Sequence, residues 1–117
     1  SNCHGTMLYS FNLFNPSLRK NLHPVLIDPF DMEESIKTFF SPSQDLECGD
    51  LVAFYHVWDA PIKIPLHSSL FLGQENYIFH QKGTGGEFCI ETIDEEVNYF
   101  KSMGYREIAV NGFRLKS

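Results

Sequence analysis

The sequence predicts an α+β domain in which helices pack on one side of an antiparallel sheet. Apolar residues recur at helical spacing up to about residue 40 and alternate with a period of two from residue 51 onward. Turn residues such as Gly, Asn and Asp separate the later segments, which is typical of antiparallel strands. With 117 residues, 43% of them hydrophobic, the chain fits one domain over residues 1–117 with a substantial core.

Two helices are predicted ahead of the sheet. The first spans residues 3–14, carries an apolar stripe at helical spacing and has Asn2 as a suitable N-cap. The second spans residues 32–40, with Asp31 as the N-cap and Glu34 three residues later, as in a capping box. The segment between the two helices contains three prolines and is expected to be irregular.

The remaining elements are mostly strands. A proline-containing loop, residues 58–65, is expected between the first two strands and is headed by Trp58. A helix over residues 94–103 is expected before the last strand, with Gly104 as its stop. The strands are predicted at residues 51–57, 67–72, 77–81, 87–91 and 108–115.

Charge and hydropathy limit the kinds of partner that the chain is expected to bind. The formal net charge is −6, from 9 basic and 15 acidic residues, and the basic residues form no cluster along the chain. Nucleic acid binding is therefore not expected, because phosphate recognition rests on clustered Lys and Arg. No apolar run approaches the roughly 20 residues that span a bilayer, so no membrane span is expected.

The cysteines do not form a local pattern. Cys3, Cys48 and Cys89 are odd in number and widely spaced, unlike a disulfide framework. No two of them have the two-residue gap of a zinc knuckle or a redox motif, and no histidines recur at helical ligand spacing. A zinc site would have to combine residues distant in the chain, and neither a metal nor a cofactor is expected.

Cys3 is the candidate nucleophile. It lies on the first turn of the first predicted helix, where backbone N–H groups have no intrahelical partner and the helix dipole is positive. Both effects favour the thiolate, so the position predicts a lowered pKa for Cys3. The same N–H groups are available to a tetrahedral oxyanion.

Two histidines on a predicted hairpin provide a base and a residue that orients it. Pairing around a short loop centred on Gly73 and Gln74 puts His67 opposite His80. Opposed residues share a face of the sheet, with Cβ atoms about 4.5–5.5 Å apart, so the two imidazoles are expected to touch. This arrangement of base and orienting group is the one that activated nucleophiles need.

Four segments also resemble a known family. They read Cys-His-Gly at residues 3–5, Gly-Asp-Leu-Val-Ala-Phe at 49–54, His-Ser-Ser-Leu-Phe-Leu-Gly at 67–73 and Tyr-Ile-Phe-His at 77–80. In this order and spacing they resemble the NlpC-type papain-like cysteine peptidases, best known as bacterial cell-wall endopeptidases. The resemblance implies a papain-like fold and a Cys-His-His triad in which Cys3 is the nucleophile, His67 the general base and His80 the orienting residue.

The resemblance also implies a substrate and a location. It implies that a peptide or peptidoglycan-like amide is cleaved, and that the protein is a secreted or periplasmic bacterial protein. Asn2 stands where the family usually has Asp, and His4 stands where it has Ser. These neighbours of the nucleophile are candidate substrate-binding residues, together with Trp58 at the head of the predicted loop.

Two other functions remain open at this level. A non-catalytic module that binds a peptide or protein would keep the fold without the reaction. A protein-modifying deamidase or acyltransferase would use the same triad with a different acceptor. The sequence does not define the oligomeric state.

Overall fold

The computed structural model describes residues 3, 4, 7, 11, 29–82 and 86–116. Cys3, His4 and Met7 are helical, and the Phe11 N–H donates a 3.0 Å hydrogen bond to the Met7 carbonyl. These residues agree with the first predicted helix, whose other residues lie outside the described part. Asn2, the predicted cap and substrate-binding residue, also lies outside it.

The described chain is α+β, as the sequence predicts. Its six strands form one sheet in the order β1-β6-β2-β3-β4-β5, and every neighbouring pair is antiparallel. The elements are α1 (Pro29–Phe39), β1 (Phe40–Ser43), β2 (Leu51–Asp59), β3 (Ile62–Phe71), β4 (Tyr77–Gln81), β5 (Phe88–Thr92), α2 (Ile93–Ser102) and β6 (Ile108–Leu115).

The start of the sheet differs from the prediction. Helix α1 begins at Pro29, a residue favoured at the first helical position, so Asp31 lies inside the first turn and is not the N-cap. The helix was predicted to extend to residue 40, but Phe40 already opens strand β1, in which Pro42 pairs with Phe113 of β6. Strand β1 is at the edge of the sheet, where a proline without an N–H is tolerated.

The predicted loop over residues 58–65 is wrong. Strand β2 runs on to Asp59 and β3 already begins at Ile62, so the two strands form a hairpin with a tight turn. Trp58 is therefore a strand residue, with 71% of its surface exposed. Pro65 was taken as a loop marker, but it pairs with Tyr55 where the register of the two strands shifts, and such irregularities accommodate proline.

Strand β2 is buried on both faces. Leu51, Ala53 and Tyr55 belong to a core cluster with Met7 and with residues of α1. The alternate residues Val52 and Phe54 pack in a second cluster that contains Phe100 of α2. The helices thus cover opposite faces of the sheet, and the expectation that they pack on one side is wrong for α2.

Helix α2 has a defined start and stop. Thr92 and Glu95 form a capping box, in which the Glu95 N–H donates to Thr92 Oγ1 at 3.1 Å. Gly104 follows Met103, the C-cap residue, with φ of 104°, which confirms it as the stop. These ends fix the helix so that Glu96 and Phe100 face the sheet. None of the helices in the described ranges has the length and apolar character required to cross a membrane.

Candidate active site

Cys3 and His67 line the same cavity, of ≈ 250 Å³. The N-terminal helical residues supply Cys3, and strand β3 supplies His67. Helix α2 closes another part of the wall. The cavity is also lined by His4, Pro29, Leu66, Lys82, Glu96, Tyr99, Phe100 and Met103.

His67 and His80 are in direct contact, as predicted. His67 Nε2 lies 2.7 Å from His80 Nδ1, and both rings are buried. The predicted register is wrong by two residues, because β3 and β4 pair Leu70 with Phe79 and Phe71 with Ile78. A shift of two residues keeps each side chain on its face of the sheet, so the imidazoles still meet, as diagonal and not opposed neighbours.

The environment of Cys3 differs from the expectation. Cys3 is buried, with 7% of its surface exposed, and this burial raises the pKa of its thiol. Backbone hydrogen bonds from Ser68, His4 and Cys3 itself lower the pKa but do not outweigh burial. A helix-start position therefore does not produce a lowered pKa here, and the resting group is the thiol.

His67, the candidate base, is neutral at rest as well. Burial lowers the pKa of His67 well below its ordinary value, and the charges of His80, His4 and Lys82 add to the effect. A neutral imidazole can accept a proton, which a general base must do. Since Nε2 of His67 is engaged with His80, Nδ1 is the nitrogen left for that role.

The neighbours proposed for substrate binding take different positions. His4 is buried and its Nδ1 lies 2.7 Å from Ser68 Oγ, which ties the N-terminal helical residues to β3 beside the cavity. Trp58 is not among the residues that line the cavity, and its ring packs edge-on against His56. The structure therefore brings Cys3, His4, His67 and His80 together and leaves Trp58 apart.

Sequence reasoning missed two residues around His80 Nε2. Cys89 Sγ lies 3.3 Å from this nitrogen, within hydrogen-bond geometry. Glu96 Oε2 lies 3.2 Å from it, but the approach is outside hydrogen-bond geometry, so this contact is electrostatic. Glu96 is buried, and burial raises its pKa to about 7. Its position four residues before Phe100, on the apolar face of α2, was the available signal.

We found no protein-family model, curated protein or solved structure that matches this chain.

Proposed function

We propose that the protein is a cysteine hydrolase of papain-like type that cleaves a peptide or isopeptide amide. Cys3 is the nucleophile, His67 the general base and His80 the residue that orients the base. The observation that carries the proposal is that Cys3 and His67 line one cavity while a 2.7 Å contact with His80 holds the ring of His67. Nucleophile, base and orienting group in this order are what acyl transfer by a thiol requires.

The first step joins the acyl group to Cys3. His67 Nδ1 takes the thiol proton as Sγ forms a bond to the amide carbonyl carbon, and the carbonyl oxygen gains the electron pair. The backbone groups that hydrogen-bond to the sulfur, those of Ser68, His4 and Cys3, are donors near the developing oxyanion. The imidazolium of His67 then gives its proton to the leaving nitrogen, and the C–N bond breaks.

The second step releases the acyl group. Neutral His67 takes a proton from water, the oxygen of which attacks the thioester carbonyl. The C–S bond breaks and the thiol of Cys3 recovers its proton from His67. A deamidase ends in the same way, whereas an acyltransferase replaces water by an amine or alcohol, so these alternatives share the acyl-enzyme.

The cavity lining supports an apolar group beside the scissile bond. Five of the ten lining residues are apolar or aromatic and lie around Cys3 and His67: Pro29, Leu66, Tyr99, Phe100 and Met103. Apolar walls with a few polar groups are the usual composition of a small-molecule site. A bacterial cell-wall peptide was implied by the sequence resemblance, and the lining does not single it out.

One observation favours the non-catalytic alternative. A buried thiol with a raised pKa is typical of a structural cysteine as well as of a nucleophile that relies on a neighbouring base. In a binding module the same cavity would hold a peptide side chain without reacting. Formation of an acyl-enzyme separates the two functions.

Reaction with p-nitrophenyl esters of aliphatic acids tests the proposal without a known substrate. We expect a burst of p-nitrophenol and a mass increase of one acyl group on the peptide that contains Cys3. The burst should be lost in Cys3→Ala and kept in Cys48→Ala, a matched control because Cys48 is exposed and free. Acylation of Cys48 alone, or of Cys3 at the same rate in His67→Ala, would favour the binding module.

A further inference from the structure

Three potential metal ligands surround the Nε2 nitrogen of His80, which is itself a fourth. Around His80 Nε2, Glu96 Oε2 lies at 3.2 Å, Cys89 Sγ at 3.3 Å and Glu91 Oε1 at 4.0 Å. Cys89 Sγ is itself 3.5 Å from Glu91 Oε1. The ligand atoms of His80, Cys89 and Glu91 all lie within 4.8 Å of one another.

These separations suit a tetrahedral ion. Zinc binds nitrogen and carboxylate oxygen at about 2.0–2.2 Å and thiolate sulfur at about 2.3 Å, which places ligand atoms roughly 3.3–3.8 Å apart. The separations among His80, Cys89 and Glu91, 3.3–4.0 Å, need only small side-chain adjustments. Glu96 lies 3.2 Å from His80 in a second cluster with His67, so its side chain must turn toward Cys89 and Glu91 to complete the set. One imidazole, one thiolate and two carboxylates form a mixed ligand set that suits a borderline ion such as Zn²⁺.

Glu96 provides an independent indication of a ligand. Its side chain is 1% exposed, and its Oε2 has no hydrogen-bond partner among the residues that the structure describes. A buried carboxylate oxygen that lacks a hydrogen bond is costly, and a cation next to His80 would satisfy it. Glu91, which clusters with His80 and Cys89, adds a second carboxylate at 4.0 Å from the same nitrogen, which increases the attraction for a cation.

The charges around the cluster balance a divalent ion. A thiolate and two carboxylates carry three negative charges, which an ion of charge +2 leaves at −1. The ammonium of Lys82, 2.8 Å from Glu91 Oε1, supplies the remaining positive charge. Cys89 is only partly buried and the Glu91 side chain is 18% exposed, so the cluster is open to solvent on that side.

We propose that His80, Cys89, Glu91 and Glu96 form a binding site for a zinc-class divalent cation. The site shares His80 with the proposed triad and otherwise uses residues that the proposed reaction does not need. An ion on His80 Nε2 leaves the proton of the neutral ring on Nδ1, which then donates to His67 Nε2.

This coupling gives the site a regulatory consequence, which rests on the proposed function. When His67 accepts at Nε2, its own proton is on Nδ1, the nitrogen assigned to take the proton of Cys3. Metal binding therefore removes the base from the proposed reaction. The cation acts as an inhibitor of acyl-enzyme formation.

Cobalt binding tests the site directly, without reference to activity. Titration of the full chain with Co²⁺ should give a thiolate-to-cobalt charge-transfer band that Zn²⁺ displaces. The band should be lost in Cys89→Ser and kept in Cys3→Ser and Cys48→Ser, because only Cys89 belongs to the cluster. Glu96→Gln should weaken binding by about 10- to 100-fold. Circular dichroism of each variant checks that the fold is retained.

The second arm measures p-nitrophenyl ester acylation with and without Zn²⁺. We expect at least about tenfold inhibition in the wild type and in Cys48→Ser, and less than about twofold in Cys89→Ser. Absence of the cobalt band, or a band that survives in folded Cys89→Ser, overturns the site. Equal inhibition of Cys89→Ser overturns the coupling. A wild type that fails to acylate without metal contradicts the proposed function, whereas the cobalt band still decides the site.

Discussion

The imidazole of His67 meets that of His80 at an angle of 83°, with 2.7 Å between Nε2 of the first ring and Nδ1 of the second. One proton occupies this contact, so the tautomer of one ring determines the tautomer of the other. Both rings are buried, and bulk water does not compete for the contact. Groups around the far nitrogen of His80 can therefore change which nitrogen of His67 is available to Cys3.

Substitution of His67 and of His80 should lower the rate of ester acylation to different extents. His67→Ala removes the base and should lower the rate of ester acylation by about 10²- to 10⁴-fold. His80→Ala should cost less, because it acts only through the orientation of His67. His80→Asn should recover part of that loss, since an amide oxygen can accept the His67 Nε2–H in place of Nδ1. Equal activity in His80→Ala and the wild type would contradict the orienting role.

The sequence predicts the contact between His67 and His80 but not the register of the strands β3 and β4 that carry them. The loop between β3 and β4 was expected to be short and centred on Gly73 and Gln74. In the structure the Leu72 N–H donates to the Tyr77 carbonyl at 3.0 Å, so the turn comprises residues 73–76 and is centred one residue later than expected. A two-residue shift changes the partner of every strand residue without changing its face, and therefore the contact survived the error.

The residues beyond His80 could not be predicted in the same way. Cys89 is on β5 and Glu96 is on α2, and both approach His80 because β4 pairs with β5 while α2 packs on the same face as His67. The sequence indicates only that Glu96 shares a helix face with Phe100. Which sheet face a helix covers depends on the tertiary packing, and here that choice differed from the expectation.

The burial of Cys3 sets the pH at which it reacts. Because burial disfavours the charged form and raises the pKa of Cys3, its thiolate is scarcer at a given pH than that of an exposed thiol. Iodoacetamide should therefore label exposed Cys48 before Cys3 at pH 7, and labelling of Cys3 should keep rising above pH 9.0, the reference value. Peptide mass spectrometry across a pH series measures both rates.

His67→Ala serves as the control for that experiment. With both groups neutral at rest, removal of His67 should change the alkylation of Cys3 little, although it should slow ester acylation by about 10²- to 10⁴-fold. Selective labelling of Cys3 near pH 6 that is lost in His67→Ala would contradict this. It would show a preformed thiolate–imidazolium pair, as the helix-start position predicted.

Asp50, in the segment that opens β2, should be important for stability. Its carboxylate accepts hydrogen bonds from Arg114 Nε at 3.1 Å, from Arg114 Nη2 at 2.9 Å and from the Glu47 N–H at 2.8 Å. Burial raises the pKa of Asp50, but these hydrogen bonds outweigh it and lower the pKa below the ordinary value of 3.8. Asp50→Asn should lower the free energy of unfolding by about 1–3 kcal/mol at pH 7.

The difference in unfolding free energy between wild type and Asp50→Asn should depend on pH, because the pKa of Asp50 is lowered in the folded state. A carboxyl with a lowered pKa stabilises the fold at pH values above the pKa that it has in the unfolded chain. This stabilisation is lost as the pH falls through the pKa of the folded state. The difference between wild type and Asp50→Asn should therefore shrink below pH 3.8 in urea titrations. Asp45→Asn, at an exposed side chain, should change stability by less than about 0.5 kcal/mol. An equally stable Asp50→Asn would contradict the role.

Met103 and Trp58 form a matched pair for locating the acyl group. Both side chains are largely exposed, at 57% and 71%, so truncation of either should leave the fold intact. Met103 lines the cavity that contains Cys3, whereas Trp58 lies on β2 and does not. Met103→Ala should raise the KM of long-chain p-nitrophenyl esters by about three- to tenfold, because an apolar chain loses part of its contact surface. The acetate ester, which carries only a methyl group on its acyl side, should be affected less.

Trp58→Ala should leave both esters unchanged, although it removes the larger side chain. This expectation replaces the sequence-based one, in which Trp58 headed a loop that rimmed the cleft and selected the substrate. The physical reason is that β2 continues through Trp58, whose ring packs against His56 and does not line the cavity. Kinetics of the two variants with a short and a long ester give the comparison. A larger KM effect from Trp58→Ala than from Met103→Ala would place the acyl group outside the cavity, and the substrate class inferred from its apolar walls would then be wrong.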